Sequence, residues 1–227
     1  MSDKVIFITG ANGGLGISVT KRFLESGATV IGGSRKITAE EFPTPHFVPI
    51  RMDFTNDAAV RVAVDSIIQK HERLDVLVHV LGGFAGGKSV AEIDDATWNQ
   101  MSDLNLNSAF SVFRATIPHL RKSGRGRLIA IGSLTAAAPH AGLGAYVVFK
   151  SALSVLVRIV AQENRDAGMT ANVILPGTMD TPANRMAMPN LDFSKWLKPE
   201  SVAELVFFLA QDSAAHITGT EIPIEGR

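Results

Sequence analysis

Short apolar runs and longer amphipathic segments alternate along the whole chain, and this alternation limits the fold more than any other feature. The apolar runs have the length of strands and cover residues 5–9, 29–31, 47–50, 74–81, 127–132, 170–175 and 221–225. Helical spacing of apolar residues separates them over 14–26, 57–72, 96–121, 144–167 and 199–211, with a break expected near Pro118. Strands that are apolar throughout favour a parallel sheet with helices on both faces. The pattern therefore predicts one doubly wound α/β domain spanning residues 1–227.

The composition narrows the possible function classes. The 227 residues include 22 basic and 22 acidic side chains, so the net charge is zero and nothing favours binding to nucleic acid. There is no cysteine, which excludes disulfides and thiolate chemistry and is typical of a reducing cytoplasm. The chain has no signal peptide, no run of about 18 apolar residues and no histidine pair with metal-binding spacing. We therefore expect a cytoplasmic protein with no membrane span and no metal ion.

A glycine-rich turn lies between the first strand and the first helix. Without Cβ atoms the backbone can turn tightly and approach a pyrophosphate, and the helix after the turn offers free N–H groups. This position between a strand and a helix favours a dinucleotide site over an ordinary turn. The predicted contacts in the turn are Gly10, Asn12, Gly13, Gly14, Leu15 and Gly16.

The end of the second strand indicates which dinucleotide binds. A carboxylate there would accept a hydrogen bond from a ribose 2′-OH, whereas an arginine would bind a 2′-phosphate. The nearest acids, Glu40 and Glu41, come several residues later, and Arg35 has the planar fork that suits a phosphate. NADP(H) is therefore the expected cofactor, with NAD(H) as the alternative. A solvated surface charge is the other interpretation of Arg35.

Tyr146 is the only tyrosine, and Lys150 follows it by four residues, so both side chains lie on one face of the predicted helix. A nearby ammonium lowers the pKa of a phenol, which makes Tyr146 a candidate proton donor to an oxygen that receives a hydride. Ser133 directly follows the fifth strand, and its hydroxyl can hold the same oxygen. For Tyr146 and Lys150 the alternative is chance placement on a helix surface, and for Ser133 it is a turn residue at a strand end.

Together the T-G-x-x-x-G-x-G turn, Ser133, Tyr146 and Lys150 resemble the short-chain dehydrogenase/reductase family over nearly the whole chain. The family implies a Rossmann sheet of about seven parallel strands, hydride transfer from a nicotinamide cofactor, and a homodimer or homotetramer. It also implies that Asn105 supports a proton relay to Lys150, although Asn107 is a rival for that role.

The resemblance implies further cofactor contacts. Ser34 would lie beside the 2′-phosphate, and Asp53 near the adenine ring unless it only closes a turn. Tyr146 and Lys150 would also contact the cofactor. The remaining predicted contacts are Gly82, Pro176, Gly177, Thr178 and Thr181.

Two stretches depart from the family pattern. The usual N-N-A-G reads His79-Val80-Leu81-Gly82, and His79 is expected to be a satisfied strand-end residue. Residues 82–87 and 175–196 resemble quinonoid dihydropteridine reductase, a branch of the family, although Arg35 and Ser133 do not fit that branch. Phe84 and Trp196 can border a flat substrate or simply pack locally.

The leading interpretation is an NADPH-dependent reductase of a small molecule with a carbonyl or related C=X bond, with Tyr146 as proton donor. A dihydropteridine reductase-like enzyme is the second. The third is a catalytically silent NADP-binding sensor, against which the complete set of Asn105, Ser133, Tyr146 and Lys150 speaks. Residues 181–198, which are rich in Pro, Met and Asn, are expected to form a mobile substrate flap, with Arg185 on an anionic group or capping the flap.

Overall fold

The computed structural model describes residues 1–227 and contains a single sheet of seven parallel strands in the order β3-β2-β1-β4-β5-β6-β7. The strands are β1 Val5–Thr9, β2 Thr29–Ser34, β3 Phe47–Arg51, β4 Val76–His79, β5 Arg127–Ile131, β6 Thr170–Pro176 and β7 Glu221–Ile224. The strand order reverses between β1 and β4, so the connections that leave these two strands diverge and open a crevice. The predicted doubly wound fold is confirmed.

Helices cover both faces of the sheet. They are α1 Gly14–Glu25, α2 Asp57–His71, α3 Asp95–Ser102, α4 Ser108–Lys122, α5 Leu134–Ala137, α6 Gly144–Glu163, α7 Pro182–Ala187 and α8 Pro199–Leu209. A π-helical turn, Asp103–Asn107, joins α3 to α4.

The core consists of two apolar layers separated by the sheet. Successive residues of β1 alternate between them: Phe7 belongs to one layer and Ile6 and Ile8 to the other. This alternation results from the two-residue period of a strand. Because all five residues of β1 are buried, the turn at the end of this strand starts from a fixed position.

Helix α6 is long and apolar enough to cross a membrane, with a mean hydropathy of 1.6, whereas the sequence reasoning found no such run. Half of the apolar stretch is buried within the fold, and Leu153 and Val157 belong to the core. Length and composition of this kind are typical of a core helix and are weak evidence for a membrane span.

The ends of several strands differ from the prediction. β2 continues to Ser34 instead of ending near Ile31, because Gly32 and Gly33 make room for aromatic rings. A Cβ atom on either glycine would lie 2.6 Å from a ring carbon, of Phe47 and Phe54 respectively. β4 is shorter than predicted, because the residues that flank it at 74–75 and 80–81 do not pair as a strand.

Two helix boundaries also differ. The break expected near Pro118 is wrong: α4 passes through this exposed residue, and the irregularity is the π-helical turn upstream. A proline removes one hydrogen bond to the carbonyl four residues earlier, which belongs to the exposed Arg114. α6 ends at Glu163 rather than Ala167, since the buried Asn164 side chain donates to the Val160 carbonyl at 2.7 Å and competes with the backbone.

The segment 181–198 has more regular structure than expected. It contains α7, whose N-cap is Thr181, and Arg185 pairs with Asp180 through two hydrogen bonds of 2.5 and 2.8 Å. Arg185 therefore ties this segment together. Trp196 lies against Phe193 with ring centroids 4.7 Å apart. The mobility of the segment stays a prediction.

Candidate active site

A cavity of about 1420 Å³ opens at the carboxyl ends of the strands, where ligands bind in open α/β sheets. The turns after β1 to β4, the first half of α6 and residues 179–184 border it. The predicted residues on its wall are Gly10, Asn12, Gly13, Gly14, Leu15, Ser34, Arg35, Asp53, Gly82, Tyr146, Lys150 and Thr181. The structure therefore brings most of the predicted site together.

The glycine-rich turn is packed so closely that it excludes side chains. Gly10 has a φ of +70°, and a Cβ atom on Gly16 would lie 2.0 Å from the Gly10 carbonyl oxygen. A Cβ atom on Gly14 would lie 2.8 Å from Cγ2 of Thr181, so Thr181 packs against the turn. The first turn of α1 contains no acidic residue, which leaves its partial positive charge available to an anion. This cradle fits the pyrophosphate of a dinucleotide.

Two arginines lie at the neighbouring ends of β2 and β3. Arg35 is exposed on the cavity wall beside Ser34. Arg51 pairs with Ser34 in the β2–β3 register, and its Nε donates to the Arg35 carbonyl oxygen at 3.0 Å. Glu41 reaches back to the glycine turn, where its Oε1 accepts a hydrogen bond from Asn12 at 3.2 Å. The two arginines make the region basic, although carboxylates such as Glu41 lie at its border.

Asp53 borders the cavity and also closes a turn. Its Oδ1 accepts hydrogen bonds from the Thr55 backbone N–H at 3.0 Å and from the Thr55 hydroxyl at 2.9 Å. These bonds, and to a smaller extent the charge of Arg35, hold the pKa of Asp53 below its usual value. Asp53 therefore closes a turn, which was one of its two interpretations from the sequence, and it also borders the cavity.

Tyr146 and Lys150 lie one turn apart on α6. The Lys150 ammonium is buried and donates to the Ile131 carbonyl oxygen at 2.9 Å, and burial lowers the pKa of Lys150 to about 8. Burial raises the pKa of the Tyr146 phenol, and the Ser133 hydroxyl acts against this rise. The expectation that Lys150 lowers the pKa of Tyr146 is not met in this structure, because burial dominates and the ammonium faces Ile131.

Asn105 is fully buried in the π-helical turn. Its Oδ1 accepts a hydrogen bond from the Gly83 backbone at 3.1 Å. A Cβ atom on Gly82 would lie 2.9 Å from both Asn105 Oδ1 and Lys150 Nζ. The two side chains therefore lie close together beside this glycine, with no space for a side chain at position 82. Asn107 is exposed and binds Asp103 at 2.8 Å. The geometry therefore favours Asn105 over Asn107 beside Lys150.

Ser133 is buried after β5 and is the N-cap of α5. Its Oγ accepts a hydrogen bond from the Thr135 N–H at 3.3 Å and lies 2.8 Å from the Thr135 hydroxyl. The Ser133 hydroxyl also acts to lower the pKa of the Tyr146 phenol, against the effect of burial. Ser133 thus has the structural role that the sequence weighed and a position beside the candidate proton donor.

The predicted turn Pro176-Gly177-Thr178 lies at the end of β6 but does not border the cavity. Gly177 N–H donates to Ile224 at 2.9 Å, and the Thr178 carbonyl accepts from Leu197 at 2.9 Å. This turn therefore holds the residues that do border the cavity, 179–184, against the sheet. Contact of Thr178 with a nicotinamide ring stays a prediction.

His79 is satisfied at only one of its two nitrogens. Its Nδ1 lies 3.0 Å from the Thr9 hydroxyl, whereas the buried Nε2 has no partner. Burial, and then the charge of Lys150, lower the pKa of His79 to about 3, so the ring is neutral. His79 thus links the ends of β1 and β4 and has no position from which to bind a ligand.

The sequence matches the family model described as short chain dehydrogenase over residues 4–191. The chain belongs to the short-chain dehydrogenase family. The resemblance seen in the sequence is thereby confirmed, and the protein is an oxidoreductase of this family.

Relatives of this short-chain dehydrogenase support the same conclusion. The 2,5-dichloro-2,5-cyclohexadiene-1,4-diol dehydrogenase LinX of Sphingobium indicum is 32% identical, over 100% of this chain and 96% of its own. The 2,3-dihydro-2,3-dihydroxybenzoate dehydrogenase of Escherichia coli K12 is 30% identical, over 99% and 96%. A solved structure of ElxO with NADP bound has a TM-score of 0.91 at 25% identity, covering 98% and 97% of the two chains. None of these is a dihydropteridine reductase, and that narrower resemblance stays a prediction.

A nicotinamide cofactor is therefore supported for this short-chain dehydrogenase, and the glycine cradle fits one. No three His, Cys, Asp or Glu side chains come together as a metal site. The sequence did not point to Arg51, which only the strand register brings to Ser34, nor to Met179 and Asp180 on the cavity wall.

Proposed function

We propose that this short-chain dehydrogenase catalyses NADPH-dependent reduction of a carbonyl compound, with Tyr146 as the proton donor. The observation that carries the proposal is the convergence of Tyr146, Lys150 and Gly82 on one cavity, with Asn105 directly behind Gly82. A protein that only binds NADP has no use for a buried lysine and asparagine beside a phenol.

The glycine turn and the N-terminus of α1 would hold the cofactor pyrophosphate, and Ser34 and Arg35 would hold a 2′-phosphate. When bound, the reduced cofactor supplies the hydride that forms the new C–H bond at the carbonyl carbon. The electron pair of the C=O π bond moves to oxygen and takes the phenolic proton of Tyr146. Ser133 would orient the carbonyl oxygen, and the phenol regains its proton from solvent by way of Lys150 and Asn105.

Tyr146→Phe tests the proton donor. The expected result is a loss of about 100- to 10,000-fold in turnover, the usual contribution of a positioned general acid. NADPH affinity should stay near that of the unchanged enzyme, since the substitution keeps the ring and leaves the glycine cradle intact. Steady-state NADPH oxidation against a panel of ketones, aldehydes, quinones and a quinonoid pterin, with NADPH titration as control, measures both. Full turnover by Tyr146→Phe would contradict the proposed chemistry, and NADPH binding without turnover on any substrate would favour the sensor.

The preference for NADPH rests on Arg35 and Arg51. Arg51 supports the Arg35 backbone, and Arg35 borders the cavity beside Ser34, which is where a 2′-phosphate would bind. Arg35→Ala should weaken NADPH binding by about tenfold or more, because charge-assisted hydrogen bonds are worth about 1.5–3 kcal/mol, and should leave NADH binding nearly unchanged. An unchanged ratio of the two affinities would reject Arg35 as the determinant.

The LinX and dihydroxybenzoate dehydrogenase relatives act, by their names, on ring diols, which favours a ring-bearing alcohol or ketone as the substrate here. A homo-oligomer is also proposed. Exposed apolar side chains on α4 and α6, among them Phe110, Val155 and Ile159, support it, and light scattering on the purified protein tests it.

A further inference from the structure

We propose that Phe84 determines substrate selection in this enzyme, and that the preferred substrate is an uncharged carbonyl compound with a flat, unsaturated ring close to its C=O group. The inference rests on the proposed reduction at Tyr146 and names the substrate class of that same site. It depends on four features of the cavity wall: an aromatic contact, a pinned loop, an exposed ring and the distribution of charge.

The first feature is a contact between Phe84 and the candidate proton donor. The two rings meet edge to face, with centroids 5.0 Å apart and planes at 71°. Such a geometry is favourable between aromatic rings. A substrate that presents its carbonyl oxygen to the Tyr146 phenol must therefore place its neighbouring atoms beside Phe84.

The second feature is the anchoring of the loop that carries Phe84. The Gly83 N–H donates to Asn105 at 3.1 Å, and the Gly87 N–H donates to the Gly142 carbonyl at 2.8 Å. Between these anchors, a Cβ atom on Gly86 would lie 3.1 Å from Cζ of Phe84, so a glycine leaves space for the ring. Both ends of the loop are thus fixed, and Phe84 has a defined place rather than a free one.

The third feature is the exposure of the ring. Phe84 borders the cavity and is 65% exposed, although it contacts Tyr146 on one side. Leu104 lies on the same stretch of wall. A ligand that covers an exposed apolar ring on a cavity wall binds more tightly, because apolar surface is removed from water. A flat ring covers Phe84 best, because its face or edge can pack against the phenyl ring.

The fourth feature is the balance of charge on the cavity wall away from the ends of β2 and β3. Asp103, Asp180 and Glu200 border the cavity, and so do Lys198 and the Lys150 ammonium, which donates to the Ile131 carbonyl. Arg185 is paired with Asp180. These charges sum to zero once Arg185 is counted with Asp180. The wall therefore attracts neither an anion nor a cation, which favours an uncharged substrate.

A pair of ketones that differ only in the ring tests the proposal. Phenylacetone and cyclohexylacetone have unconjugated carbonyl groups of similar reactivity, so the ratio of their kcat/KM values reports recognition of the ring. We expect the unchanged enzyme to prefer phenylacetone. Phe84→Leu should lower that preference by about three- to tenfold, the value of one aromatic contact, and Phe84→Tyr should keep it. Phe208→Leu, a half-exposed phenylalanine of α8 outside the cavity, is the matched control.

The outcomes separate the two proposals. If both ketones are reduced and Phe84→Leu leaves the ratio of kcat/KM values unchanged, Phe84 does not select the substrate, and the proposed reduction stands. If a preference for cyclohexylacetone appears in the unchanged enzyme, the aromatic substrate class is wrong. If neither ketone nor any compound of the wider panel is reduced while NADPH binds, the proposed function itself fails, and this inference fails with it.

Discussion

The two halves of the cavity are built in different ways. At the cofactor end, the glycine turn is backbone that follows a fully buried strand: all of β1 is buried, and a Cβ atom on Gly16 would collide at 2.0 Å. At the substrate end, no residue from Gly82 to Gln100 is buried, and none from Leu134 to Gly144. The core therefore dictates where a cofactor can bind, whereas exposed side chains decide which substrate enters. The second half can change without cost to the fold.

The largest effect should come from the rigid half. Gly16→Ala should lower the free energy of unfolding by about 1–3 kcal/mol, the usual cost of overpacking, and weaken NADPH binding severely because the turn must open. Gly13→Ala in the same turn is the milder comparison, since its Cβ atom would meet the Gly10 carbonyl oxygen at 3.3 Å, which a small shift relieves. Chemical denaturation and NADPH titration measure both. Equal effects of the two substitutions would mean that the turn is not rigid.

Gly82 joins the two halves, and its substitution should affect chemistry more than binding. Gly82→Ala pushes on Asn105 and Lys150, so turnover should fall by about tenfold or more, which corresponds to about 1.4 kcal/mol in the barrier. A Cβ atom on Gly83 would meet the Cδ1 end of Leu104, which can move aside, so Gly83→Ala should retain most activity. Steady-state kinetics with saturating NADPH separates these outcomes. A larger loss in Gly83→Ala would contradict the arrangement.

The pH dependence tests whether Lys150 acts as an ammonium. Burial lowers the pKa of Lys150 from 10.5 to about 8. Nearby, the His79 ring is neutral and the pKa of the Tyr146 phenol is raised. The charge is lost as the pH rises through about 8, so kcat/KM should fall about tenfold per pH unit above that value.

Stability should change in the opposite direction over the same range. Between pH 8 and 10.5 the unfolded chain holds a proton on Lys150 that the folded chain has released, so the free energy of unfolding rises with pH. Lys150→Met should remove this slope in denaturation curves recorded across that range. An identical slope in the variant would show that Lys150 titrates at its usual pKa.

The smallest effect belongs to the exposed half. Val90 is 75% exposed, and Val90→Ser should change the free energy of unfolding by less than about 0.5 kcal/mol. Thermal or urea denaturation checks this. A loss above about 1 kcal/mol would mean that a partner surface covers this loop, and it would weaken the contrast between the two halves.

The same contrast explains how far the sequence could go. The apolar runs and the glycine spacing predicted the sheet, the turn and the Tyr146–Lys150 pair, because buried strands and glycines without space for a Cβ atom leave few alternatives. Sequence spacing could not bring Arg51 to Ser34, which depends on strand register, nor show that Gly32 and Gly33 extend β2 by making room for two phenylalanine rings. It could not place Phe84 against Tyr146 either, since a loop position depends on hydrogen bonds to distant residues.

The π-helical turn at Asp103–Asn107 has a consequence for how the protein tolerates change in length. A π-turn fits one more residue into a helix than regular winding allows. Removing a single residue here would let α3 and α4 join as one ordinary helix, and α3 would rotate by about 100° relative to α4. Asn105 would then turn away from Gly82, so an otherwise well-formed helix would leave the lysine without its neighbour. In this family member, an irregularity in helical winding is what aims the asparagine.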